Sequence, residues 1–218
     1  MPFGLLSEEV SWHMQAVFGL WFRLVLLALI VIPLSMLILD APVAGISGRL
    51  LPAHALAPYA PSSKGIGELF LLAAAAALLF CVAAKRFPVW TEALLLSALA
   101  VAMSYYLAEH FLKPLFSRPA LRLPFDHVRY LMGWHGRSSS GFPSAHAAIG
   151  AAPLTIAALF WARERTIFAA SLIVGDALLI VGRWHYVSDV LAGNFLGMTM
   201  AMLAWEGARR AKAWQRRQ

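Results

Sequence analysis

Six apolar stretches, each about long enough to cross a bilayer, constrain this chain more than any other feature. They fall at about residues 17–39, 68–84, 89–112, 143–162, 166–184 and 188–207. The last three are joined tightly. Of 218 residues, 61% are hydrophobic and 13% charged, and the mean hydropathy is +0.70. A soluble domain of this size carries roughly 25% charged residues. The pattern predicts an all-α, six-transmembrane-helix bundle forming one domain over residues 1–218, with no internal repeat.

The net charge of +7 and the pI near 10.1 do not argue for nucleic acid. The basic residues sit in short inter-helix segments and at the C-terminus, with no soluble domain to present a basic face. The single cysteine, Cys81, excludes an intrachain disulfide and reads as a small core or lipid-facing residue. Glu8 and Glu9 stand where a cleavable leader would be basic, so the first apolar run is expected to remain as a helix. Ahead of it, residues 1–16 read as a short amphipathic interfacial helix bearing Phe3, Leu5, Leu6, Val10, Trp12 and Met14. Residues 40–64, rich in Pro, Gly, Ala and Ser, read as a loop.

Loop charge predicts orientation. Lys85 and Arg86, Arg163 and Arg165, and the basic tail 208–218 fall on one side, expected to be cytoplasmic. The loop 113–142 and the segment near His185 share the opposite, periplasmic or extracytoplasmic face. That loop is basic too (Lys113, Arg118, Arg122, Arg129, Arg137), against the simple rule. Positive charge kept on a translocated loop suits the binding of an anion.

Three patches converge there: Lys113 to Pro119, Ser140 to His146, and Gly182 to Asp189. In the second, Pro143 and Ser144 suit the first turn of a helix. The backbone N–H groups of Ser144, Ala145 and His146 would then face the loop side, where an anion binds readily. In the third, His185 and Asp189 are four apart, so on a helix the carboxylate can hold the imidazole. That fixes the tautomer and leaves the other ring nitrogen as a nucleophile or base. Two histidines with separate supports suit a nucleophile and a general acid, and Lys or Arg would offset phosphoryl charge.

These patches resemble the three signature motifs of the phosphatidic acid phosphatase type 2 superfamily, which also includes lipid phosphotransferases and vanadium haloperoxidases. The family's Pro-Ser-Gly-His reads here Pro143-Ser144-Ala145-His146, and its His-x-x-x-Asp is matched by His185 and Asp189, followed by Val190-Leu-Ala-Gly193. The resemblance spans about residues 113–193 and implies that His185 forms a phosphohistidine, Asp189 orients it and His146 protonates the leaving group. It implies phosphate binding by Ser144, the amides near Ala145, Lys113 and an arginine, with no metal or cofactor. Two motif positions depart. Arg118-Pro119 comes two residues before the family's spacing from Lys113, with Arg122 as the alternative arginine. Leu178 and Leu179 occupy the Ser-Arg positions of the third motif, where Arg183 stands nearby. The second departure resembles the sphingomyelin and inositol-phosphorylceramide synthase branches.

The expected activity is hydrolysis of a lipid phosphate or diphosphate: a polyprenyl diphosphate, phosphatidic acid, phosphatidylglycerol phosphate or lipid A. A phosphotransferase with a lipid or sugar acceptor is the enzymatic alternative. An anion channel or transporter is the non-enzymatic one, and it would need positive charge but not the two histidines. Among other polar groups, Asp176 is expected to pair with Arg183, and Arg23 to snorkel. Trp184, Tyr186, Trp205 and Trp214 are expected at the membrane interface, and Ala73 to Ala77 in close helix packing.

Overall fold

The computed structural model describes residues 4–50, 62–118, 121 and 141–218. No strand occurs among them, so the chain is all-α as expected. The helices are α1 (Gly4–Ile38), α2 (Asp40–Leu50), α3 (Ser63–Ala84), α4 (Val89–Leu107), α5 (Lys113–Phe116), α6 (Ala145–Phe160), α7 (Arg165–Val181) and α8 (Val187–Gln215). A π-helical turn, Ala108–Leu112, joins α4 to α5.

Among the described residues, four helical stretches are long and apolar enough to cross a membrane: Trp21–Ile38 of α1, Ser63–Ala84, Val89–Phe116 and Val187–Gln215. The expected fourth and fifth spans fall on α6 and α7, which have 16 and 17 residues, at or below the short limit for crossing.

Two sequence expectations change. Residues 4–16 do not form a separate helix, because α1 continues through them to Ile38. Residues 40–50, expected as loop, form α2. Its Pro42 lies in the first turn, where a missing N–H costs nothing, so the Pro/Gly-rich composition does not prevent a helix. The basic C-terminal segment is helical as far as Gln215.

α6 and α8 run side by side with their N-termini together, and glycine sets their spacing. A Cβ on Gly193 would lie 2.3 Å from the Ser144 carbonyl oxygen, and one on Gly197 would lie 2.2 Å from that of Ala148. Two glycines four apart, facing an alanine-rich helix, let the backbones touch. Farther along, Phe160 meets Trp205 edge-on at 4.9 Å between ring centroids, so Trp205 packs between helices and not as an interfacial anchor. Trp214 is exposed.

α4 completes the core with Leu96, Ala100 and Val101, which pack against Ile149, Ala152 and Ile156 of α6. α3 turns Gly67, Ala74, Ala77 and Cys81 inward, a small-residue stripe for close packing. Cys81 is a core residue whose Sγ lies 3.1 Å from the Thr91 hydroxyl. α1 packs along α8 through Met36, which clusters with Phe142 and Ala192. At the far end of α8, Lys212 binds Glu92 at the start of α4.

Candidate active site

The site lies where α8 begins. Asp189, in its first turn, accepts a hydrogen bond from the Tyr186 N–H (3.1 Å), which fixes the carboxylate at the helix N-terminus. The same oxygen, Oδ2, faces His185 Nδ1 at 3.7 Å, an ion-pair distance and longer than a hydrogen bond. The four-residue spacing thus brings His185 and Asp189 together, although His185 itself precedes the helix.

α6 brings the second histidine. Ser144 is its N-cap, accepting from the Ala147 N–H (3.2 Å). The Ser144 N–H donates to the Asp189 carbonyl (2.9 Å), stitching the α6 and α8 starts directly together. His146 is then carried to His185, with ring centroids 5.9 Å apart at 56°. Ser144 and Ala145 are both fully buried. The expectation that the Ser144 amide points at an anion is therefore revised, because that N–H is spent on Asp189.

Arg118 reaches the same place from α5. Ser117 ends that helix in a left-handed conformation (φ 47°), turning the chain so that Arg118 enters the bundle with no exposed surface. Its Nη1 donates to Asp189 Oδ1 (2.7 Å) and to the Ser188 hydroxyl (2.6 Å), and its Nη2 to Asp40 Oδ2 (2.7 Å). The Tyr186 ring covers the guanidinium at 4.2 Å, so Tyr186 belongs to the site and not to an interfacial belt. Burial raises the Tyr186 phenol above its ordinary range, with the Arg118 charge pulling the other way. Expected as a phosphate ligand, Arg118 instead holds two carboxylates.

Asp40 was missed by the sequence reading. It opens α2, is buried, and accepts from Arg118, the Ser188 hydroxyl (2.5 Å) and the Ser188 N–H (3.0 Å). A lone carboxylate after an apolar run was the only signal that could have found it.

Of the other expected site residues, Lys113 pairs with Glu109 one turn earlier in the π-helical segment. Arg183 is buried in a left-handed conformation (φ 62°) at the end of α7, two residues before His185. Asp176 does not take Arg183 as its hydrogen-bond partner, because Asn194 Nδ2 donates to its Oδ2 at 2.6 Å. Arg122, Arg129 and Arg137 lie outside the described residues.

The arrangement offers two adjacent imidazoles, one backed by a carboxylate whose other oxygen is tied to a buried guanidinium. Such a pair can divide nucleophilic and acid–base roles. No curated protein and no solved structure matches the chain. A family model, that of the PAP2 superfamily, matches residues 92–212, which takes in both histidines, Asp189 and Arg118 and exceeds half of the sequence. The chain belongs to the phosphatidic acid phosphatase type 2 (PAP2) superfamily.

Proposed function

We propose that the protein is an integral membrane lipid-phosphate phosphatase of six spans, with its active site at the periplasmic or extracytoplasmic face of the cell (inner) membrane. The observation that carries this reading is the approach of His146 to His185, with ring centroids 5.9 Å apart and Asp189 behind His185. A channel has no use for that arrangement.

In this mechanism, Asp189 Oδ2 closes from 3.7 Å onto His185 Nδ1 as substrate binds and holds the proton there, leaving Nε2 free to attack phosphorus. The bond from phosphorus to the leaving oxygen breaks as the N–P bond forms, and His146 gives its proton to that oxygen. His146 then takes a proton from water as the water oxygen attacks phosphorus. The N–P bond breaks, and phosphate leaves. Lys113 and Arg183 are the cations assigned to the phosphoryl oxygens, with Lys113 exchanging Glu109 for the substrate. The lipid tail stays in the bilayer, which suits polyprenyl diphosphates, phosphatidic acid, phosphatidylglycerol phosphate or lipid A.

The test is phosphate release from these lipids by purified protein in detergent, beside His185→Ala and His146→Ala. Release by the wild type that is lost in both variants supports the hydrolase. Leu178 and Leu179, standing at the family's Ser-Arg positions, favour a second reading in which an acceptor hydroxyl replaces water. Turnover that depends on an added acceptor lipid would select it.

A further inference from the structure

We propose that Asp40 is a positioning residue of the catalytic centre, acting on His185 through Arg118 and Asp189. The inference rests on the phosphohistidine reading above. It concerns a residue outside the segment the family model matches, 92–212.

The contacts form a continuous buried line. Asp40 Oδ2 meets Arg118 Nη2, Arg118 Nη1 meets Asp189 Oδ1, and Asp189 Oδ2 faces His185 Nδ1. Asp40 also receives both donors of Ser188, the residue beside Asp189, so it fixes the first turn of α8 as well as the guanidinium. With Asp40 absent, Arg118 could swing toward either oxygen of Asp189, including the one facing His185.

Charge gives the line a purpose. Within the trio bonded directly behind His185, one guanidinium between two carboxylates leaves a surplus of one negative charge. A single Arg–Asp pair would be neutral, leaving Asp189 little attraction for a positive imidazole. The surplus offsets the positive charge that the His185 ring carries when Nε2 is phosphorylated while Nδ1 keeps its proton. Among the described residues, the other charged or titratable groups at this end are His146 from α6, Arg183 from the end of α7, Tyr186 before α8, and Lys113 paired with Glu109 ahead of Arg118. Asp40 is the residue that makes the carboxylates of this ion-paired trio outnumber its guanidinium.

A residue needed only for packing would tolerate an isosteric change, and a charge-bearing one would not. Asp40→Asn keeps the shape and an acceptor for Ser188, and leaves Arg118 balanced by Asp189, so no charge is orphaned. Asp40→Glu keeps the charge. The experiment measures kcat and KM for phosphate release with both variants, after checking that each elutes from detergent chromatography as the wild type does. In parallel, the carbethoxylation rate of His185 by diethyl pyrocarbonate is followed by mass spectrometry at about pH 8.5, above the ordinary imidazole range.

The expected result for Asp40→Asn is a kcat roughly tenfold to a hundredfold lower, the scale seen when residues supporting a reactive group are removed. KM should stay within about threefold, His185 labelling should slow at least about threefold, and Asp40→Glu should retain more of both rates. Asp40→Asn with kcat and labelling within about twofold of wild type would overturn the proposal, as would Asp40→Asn outperforming Asp40→Glu. Should Asp40→Asn not elute normally, Asp40→Glu decides alone: labelling within about threefold of wild type supports the proposal, and a larger loss refutes it. A wild-type protein that releases no phosphate from any lipid would defeat the hydrolase reading, while the labelling rates would still judge Asp40.

Discussion

At one end of the bundle Arg118, Asp40 and Asp189 meet with none of their side-chain surface exposed, whereas at the other Lys212 and Glu92 meet with 53% and 36% of theirs in the open. Arg210 and Glu206 also pair near that open end, the arginine 60% exposed. Both ends pair a basic side chain with a carboxylate, but the energetics differ. An exposed pair is screened by water and contributes about 0–1 kcal/mol. A buried one contributes little net stability over an apolar replacement, yet leaves an uncompensated charge when one partner is removed. Charge at the open end is therefore dispensable to the fold, and charge at the closed end is held there for what it does to its neighbours.

The contrast can be tested step by step, beginning where the effect should be largest. His185→Ala should lower phosphate release at least about a thousandfold, as removal of a covalent nucleophile does. The variant should melt like the wild type in the same micelles, since the role proposed for the ring is chemical and not structural. Next comes Arg118→Met, which strands Asp40 and Asp189 together. It should cost roughly 3–5 kcal/mol in denaturant unfolding, and a loss below about 1 kcal/mol would erase the distinction between the ends. Gly197→Ala places a methyl against the Ala148 carbonyl and should cost about 1–3 kcal/mol by overpacking. Glu92→Gln, at the open end, should cost less than about 1 kcal/mol, and that small loss should shrink further in high salt.

What could be read in advance follows the range of each interaction. His185 and Asp189 lie four residues apart, and Ser144 and His146 share one short motif, so their grouping was legible from local spacing. The close packing of Ala74 and Ala77 was legible for the same reason. Asp40 was not, because its partners Arg118 and Ser188 lie 78 and 148 positions away, and Pro42, Gly45 and Gly48 made its surroundings read as loop. The resemblance of Arg118-Pro119 to the family's first motif implied a ligand for phosphate, but a motif does not reveal that two carboxylates hold the guanidinium. The partner of Asp176 was misjudged similarly. Its interval to Arg183 matches two helical turns, but the chain turns at Gly182 and Arg183, and Asn194 on the neighbouring helix is closer. The short lengths of α6 and α7 emerge only once the caps are seen, since apolar residues extend beyond them.

The bond between Asp40 and Ser188 also sets an order of assembly. A chain inserted as it is synthesised delivers Asp40 early, 148 positions before the backbone N–H and hydroxyl that receive it. Until α8 arrives, that carboxylate has neither Arg118 in its final pose nor the amide of Ser188, and a charge without partners stays hydrated. The α1–α2 corner must therefore wait at the water boundary while the middle of the protein is made, and sink only when the last helix docks. Burial of the Asp40–Arg118–Asp189 cluster therefore depends on the last helix, and a chain cut short before α8 would leave Asp40 without Ser188 and Asp189 beside it.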